Sequence, residues 1–284
     1  MKLLLDLTDI SNSDISYKIS KFPDGQQSIT ISSFLVESNK DSIVQLSSRM
    51  NSFKDIELII CANQILKEMG VEKVELYVPY FLGARSDRKF GEGQTNYLKN
   101  VICPIINSQK FSKVIVMDAH SDVLEACLDN FKKIDNIRLV DFALSEIKGR
   151  SSQTALISPD AGALKKIFDV AKEFNITNVT TASKVRDIIS GNIIRTELPT
   201  MDLTDIDDII IIDDICDGGR TFIELAKVIR LQTDKPIHLV VTHGIFSAGF
   251  EELEKYFDSI FTTDSIHIDV AELGATKVKQ LTIF

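Results

Sequence analysis

The densest chemistry in the sequence lies in one run, Ile209–Ile–Ile–Ile–Asp213–Asp214–Ile–Cys–Asp217–Gly218–Gly219–Arg220–Thr221. An apolar strand here delivers paired carboxylates to its C-terminal end, where ligands bind in an open α/β sheet. Vicinal sugar hydroxyls want two adjacent acceptors, and Asp213 and Asp214 supply them. Gly218 and Gly219 allow backbone N–H groups to turn inward, and Thr221 opens a helix. Asp217 to Thr221 therefore has the makings of an anion-binding nest at a helix N-terminus, with Arg220 as a charged donor. The competing reading is an acidic turn that caps a helix, where Asp and Gly are common. The run does not fit GxxxxGK[ST], so it is no P-loop.

The elements that must position these residues alternate short strands with amphipathic helices. The pattern predicts a helix over Asp55–Met69, stopped at Gly70, and strands over Val74–Val78 and Val114–Met117 with helical residues from Thr95 to Ile106. Further strands are expected at Ala155–Ile157, Ile209–Ile212 and Ile237–Thr242, with helices over Ala161–Phe174 and Thr221–Leu231. Such alternation argues for an α/β fold of mostly parallel sheets flanked by helices. Two halves are expected, 1–136 and 137–284, each with a strand that ends in an Asp-bearing loop. The stretch Lys184 to Asp205 is the least clearly patterned and reads as a hairpin or a mobile loop.

Composition narrows the classes. The chain has 284 residues, 44% of them hydrophobic, enough for one large domain or two medium ones. Its apolar runs are too short to span a membrane, and the opening MKLLLDLTD is too short for a signal peptide, so a cytoplasmic protein is expected. The net charge of -9, without a Lys/Arg cluster, argues against nucleic acid. A negative protein still binds polyphosphates where local amides, basic residues and metal ions oppose the global charge. Cys61, Cys103, Cys127 and Cys216 form no CxxC pair, so a zinc site is not expected. Only Cys216, by its loop position, is suggestive of a nucleophile.

The Asp213–Thr221 segment resembles the phosphoribosyl-pyrophosphate motif of phosphoribosyltransferases and ribose-phosphate diphosphokinases. Further matches follow in the order of the diphosphokinase family, over about Phe22 to Asp264. Phe22–Pro–Asp24–Gly25–Gln26 resembles the segment that one subunit lends to its neighbour's adenine pocket. Pro79–Tyr–Phe–Leu–Gly–Ala–Arg85–Ser–Asp87–Arg88–Lys89 resembles the ATP-site loop, and Asp118–Ala–His120 the metal and ATP loop. Ser158–Pro159–Asp160–Ala–Gly162 resembles a second metal-associated loop, and Thr242–His243–Gly–Ile–Phe246–Ser247 a late strand end. Lys184 and Arg186 correspond to a Lys-x-Arg pair that a mobile loop carries onto the transferring phosphates. Simple phosphoribosyltransferases lack the first-half set.

The resemblance implies two tandem phosphoribosyltransferase-type domains, the first on the ATP side and the second holding ribose phosphate. It implies Mg²⁺-dependent transfer of pyrophosphate from ATP to the C1 hydroxyl of ribose 5-phosphate, in a homo-oligomer. Phe22, Asp24, Gln26, Arg85, Asp87 and Arg88 would bind ATP. Asp213, Asp214, Asp217, Gly218, Gly219, Arg220 and Thr221 would bind ribose phosphate. His120 and Asp160 would serve the metal, and Lys184, Arg186 and His120 catalysis. The residues suit these roles: Arg85, Arg88 and Lys89 match phosphate oxygens, although a solvated basic loop reads the same way. His120 could equally be a hydrogen-bonded turn residue, and Asp160 a helix N-cap.

Departures mark a divergent branch, shortened at both ends. The family's Asp-Thr-Gly-Gly-Thr is here Asp217–Gly218–Gly219–Arg220–Thr221; Gln26 stands for a usual Glu and Ser86 for a usual Gln. The loop Phe90–Gly–Glu92–Gly–Gln94–Thr95 is neither basic nor proline-bearing. Two glycines and an arginine at the phosphate loop suit a phosphodiester, so ADP-ribose is the alternative acceptor. A phosphoribosyltransferase and a non-catalytic family regulator are the other readings.

Overall fold

A computed structural model describes residues 1–39, 41–147, 153–186 and 193–284. The chain divides into two compact units, Met1–Asp135 with Phe284, and Asn136–Ile283.

The first unit contains β1 (Lys2–Asp6), the hairpin β2 (Tyr17–Lys21) and β3 (Gln27–Ile31), α1 (Ser33–Glu37), β4 (Ile43–Ser47), α2 (Phe53–Glu68) and β5 (Val74–Tyr77). It continues with a π-helical turn over Leu98–Ile102, α3 (Cys103–Ser108), β6 (Lys113–Met117), α4 (Val123–Cys127) and β7 (Phe131–Ile134). The main sheet is parallel, in the order β1-β4-β5-β6-β7. The order never reverses, so right-handed crossovers place every connecting helix on the same face. The side chains agree: Leu3, Leu5, Val44, Leu46, Val74, Leu76, Val114 and Val116 join Ile56, Ile59, Ile106 and Leu124 of the helices in a single core. The alternate positions carry an ionic row instead, in which Lys2 and Lys113 both pair with Glu75, at 2.9 and 2.7 Å. Ser52 and Asp55 close a capping box on α2.

The helix expected from Thr95 to Ile106 forms continuously from about Leu98 to Ser108, but its first part is a π turn that runs straight into α3. Pro104 has no N–H to donate to the preceding turn, and the chain widens into the π turn just before it, where such bulges relieve the ladder.

The second unit contains α5 (Ile137–Ile147), β8 (Thr154–Ser158), α6 (Leu164–Glu173), β9 (Asn178–Thr181), the hairpin β10 (Ser183–Arg186) and β11 (Ile193–Glu197), and β12 (Asp208–Cys216). It ends with α7 (Arg220–Arg230), β13 (Ile237–Gly244), α8 (Glu251–Glu254), β14 (Ser259–Thr263) and β15 (Val278–Leu281). Its parallel sheet runs β15-β14-β13-β12-β8-β9. The chain first winds outward from β8 to β9, then returns to β12 and winds the other way. Crossovers in opposite directions put helices on opposite faces. The run Ile209–Ile212 shows the result residue by residue. Ile209 and Ile211 pack with Phe222, Leu225 and Ile229 of α7. Ile210 and Ile212 pack with Leu139 and Val140 of α5 and Ile167 and Val170 of α6.

Two boundaries differ from the sequence pattern. The helix expected from Ala161 begins only at Leu164, because Asp160 holds Gly162 and Ala163 in a turn. The strand expected to stop at Ile212 runs to Cys216, so Asp213 and Asp214 lie within the strand and not in the loop after it. Pairing with Val241 and His243 of β13 carries the ladder past the apolar run.

Candidate functional site

In the second unit the strand order reverses between β8 and β12. In doubly wound sheets this point opens a crevice at the carboxyl ends of the strands. The two strands stay paired from Asp208↔Thr154 to Ile211↔Ile157, after which β12 continues alongside β13. Asp213 and Asp214 fall on that continuation. Asp214 is buried, and its N–H donates to Asp213 Oδ1 at 2.9 Å. Asp160, just past the end of β8, accepts the amides of Gly162 and Ala163 at 3.0 and 3.3 Å. Ser158 Oγ donates to the Asp160 carbonyl at 2.6 Å. The three carboxylates feel one another. Burial first, then the charge and hydrogen bond of Asp214, and also the charge of Asp160, push the Asp213 carboxyl well above the usual carboxylate range. Lys166, from the first turn of α6, brings an ammonium 3.7 Å from Asp214 Oδ1.

Beyond the acid pair, Gly219 adopts φ +76°, the left-handed conformation natural to glycine, as α7 begins at Arg220. A Cβ there would lie 2.9 Å from the Leu253 side chain. The loop is braced from β13. Ile245 and Phe246 N–H both donate to the Cys216 carbonyl, at 2.8 and 3.2 Å, and Ser247 Oγ donates to Asp217 Oδ1 at 2.6 Å. Gly218 and Arg220 are exposed, and Thr221 is half-buried. The amides at the head of α7 and the positive end of its dipole can hold an anion. Cys216 is buried, and burial foremost, then the charges of Asp213 and Asp217, push its thiol up. A thiol so protonated is a poor nucleophile.

In the first unit, Arg85, Arg88 and Lys89 are exposed on the loop after β5, and the Arg88 guanidinium lies 5.4 Å from the Phe90 ring centre. Gly83 bends this loop at φ +82°, where a Cβ would come within 2.7 Å of Tyr97. Asp87 accepts from Ser121 Oγ at 2.7 Å, and its carbonyl accepts from Asn96 Nδ2 at 2.5 Å. The first bond ties the arginine loop to the loop after β6, where Asp118 is buried at φ +43° and His120 is exposed. Phe22, Asp24 and Gln26 stand apart at the tip of the β2–β3 hairpin. Asp24 Oδ1 accepts the Gln26 amide at 3.1 Å, and Phe22 is 52% exposed.

Lys184 and Arg186 fall on β10, opposite Thr196 and Ile193 of β11, so the unpatterned stretch contains a hairpin. Its residues 187–192 lie outside the described ones. The structure therefore gathers Asp160, Asp213 and Asp214 in one place, with Asp217–Thr221 following directly. Among the described residues, no three His, Cys, Asp or Glu side chains converge as a ready metal cage. Lys166 and Ser121 are missed by the sequence reading, and Ser247 is noted there only as part of a strand end, not as a partner of Asp217. Each acts through a partner at least 30 residues away, and no local spacing signals it.

No protein-family model matches the chain. Its relatives include the ribose-phosphate pyrophosphokinase of Pyrococcus abyssi, 25% identical over 262 residues, covering 92% of this chain and 87% of the relative. That of Mycoplasmopsis pulmonis is 27% identical over 267 residues, 92% and 79% of the two chains. The chain is thus similar to ribose-phosphate pyrophosphokinases over most of its length. The crystal structure of phosphoribosylpyrophosphate synthetase from Mycobacterium smegmatis shares the fold, with a TM-score of 0.78 at 15% identity over 99% of this chain and 94% of the other. At that identity the likeness shows a shared fold. Among the described residues, no helix is long and apolar enough to cross a membrane.

Proposed function

We propose that this chain transfers the pyrophosphoryl group of ATP, with Mg²⁺, to the C1 hydroxyl of ribose 5-phosphate, giving phosphoribosyl pyrophosphate and AMP. The observation that carries the reading is the adjacent Asp213–Asp214 pair, half-buried and buried, at the reversal of strand order, followed directly by left-handed Gly219 and the head of α7. Two adjacent carboxylates accept from vicinal hydroxyls, and helix-end amides take the 5-phosphate. The first unit is the ATP side: Arg85, Arg88 and Asp87 hold the nucleotide, with His120 on the phosphates. Lys184 and Arg186 neutralise charge on the transferring group, since such transfers depend mostly on positioning and electrostatics. Phe22, Asp24 and Gln26 serve a neighbouring copy's ATP site, which makes the working protein a homo-oligomer.

Mg²⁺ prefers one or two carboxylates completed by phosphate oxygens and water. Asp160 near the acid pair fits that donor set. His120, a nitrogen donor, suits phosphate better. When bound, the ion would neutralise charge on the phosphate oxygens.

One observation favours a second acceptor. Arg220 is exposed at the first residue of α7, and Gly218 is open: a Cβ there would meet only Ser247 and Ala248, at 3.8 and 3.9 Å. A loop with that room and a guanidinium suits the diphosphate of ADP-ribose, whose C1 hydroxyl is free for the same chemistry. AMP release from Mg-ATP, with each acceptor offered separately, decides between them. Release with ribose 5-phosphate supports the first reading, and release with ADP-ribose alone the second. Silence with both removes both readings and favours a regulator.

A further inference from the structure

The proposed chemistry leaves one buried charge without a task. Lys166 extends from the first turn of α6 with its side chain only 19% exposed, and its ammonium stands 3.7 Å from the 7%-exposed Asp214 carboxylate. Its neighbour Lys165 is exposed, as an ordinary lysine on a helix surface is. Burying an ammonium is costly unless a carboxylate faces it, so the fold holds Lys166 inside for a reason. The surroundings supply one. Asp213, Asp214 and Asp160 crowd their carboxylates at the end of the sheet. A cation 3.7 Å from Asp214 opposes that crowding of negative charge and holds the carboxylate in place.

We infer that Lys166 is a positioning residue for the sugar subsite: its ammonium group fixes the Asp214 carboxylate and supplies the counter-charge that lets the Asp213–Asp214 pair present charged acceptors to vicinal hydroxyls. This rests on the sugar-phosphate reading of the site. It also explains why a lysine, and not a neutral residue, follows Asp160 into α6.

The test measures KM for the acceptor and for ATP in wild-type protein, Lys166→Met and Lys166→Arg. Lys166→Met raises the acceptor KM about tenfold or more while KM for ATP stays within about twofold, and Lys166→Arg restores most of the loss. A merely structural lysine would move both constants together. An acceptor KM unchanged in Lys166→Met, or a parallel rise in both constants, overturns the inference. Should Lys166→Met fail to fold, Asp214→Asn is compared with Lys166→Met/Asp214→Asn, in which neither buried charge remains. Equal acceptor KM in those two supports action through Asp214, and a further rise overturns it. Wild-type protein silent on both acceptors removes the sugar-phosphate reading and this inference together. An active wild type with an unaffected Lys166→Met removes this inference alone.

Discussion

The two units are built from the same parts and use them differently. In the first, strands are added in one direction, the core lies on one face, and the other face carries the Lys2–Glu75–Lys113 row. In the second, the order reverses between β8 and β12, and β12 is packed on both faces. The candidate chemistry follows the difference. The second unit keeps carboxylates on strand ends, fixed by the ladder itself. The first has no reversal among its described strands, and its candidate residues stand on loops held by Gly83, Asn96 and the Asp87–Ser121 bond.

Substitutions can break this contrast. The largest effect is expected from Asp213→Asn/Asp214→Asn, which removes both charged acceptors: kcat/KM falls by roughly 10³-fold, with ATP binding retained in direct titration. Arg85→Ala gives the mirror image, raising KM for ATP by about tenfold while leaving the acceptor KM unchanged. If each variant moved both constants equally, the division of labour between strand ends and loops would be wrong. Gly219→Ala forces a side chain into the left-handed region, and thermal unfolding should show a loss of about 1–2 kcal/mol together with a weaker acceptor.

A pH series sharpens the comparison with the smallest effect. The folded state holds a proton on Asp213 more tightly than the unfolded chain does. Between the unfolded pKa and the raised folded value, the native state binds more protons, so this group's contribution to stability falls as pH rises. Asp213→Asn should therefore unfold at a higher temperature than wild type near neutral pH, with the gap closing toward pH 4, about the ordinary carboxylate value. A gap that widens on acidification would contradict the assignment.

Much of the second unit could be read in advance. The β-branched run Ile209–Ile212 and the glycines after it mark a strand, a turn and a helix start by local rules alone. The end of the strand could not be read, because Asp213 and Asp214 resemble a loop until β13 supplies their pairing partners. The helix cap weighed against a metal role for Asp160 is met only in part: Asp160 accepts amides, but those of a turn just ahead of α6. The π turn before Pro104 and the ion pair of Lys166 depend on tertiary crowding, which periodicity does not encode.

The reversal of strand order also bears on synthesis. The strands of the first unit emerge from the ribosome in the order in which they sit, so each new strand can dock on the one before it. In the second unit β8 and β9 emerge first, and the central strand β12 appears only after the β10–β11 hairpin. Until β12 arrives, the inner edge of β8 stays open and its apolar residues lack their main partner. Parallel pairing across such separations is slow and leaves edges exposed. Nascent chains halted between β9 and β12 are thus the stage at which chaperone capture and misassembly should concentrate, while the first unit's strands are already complete.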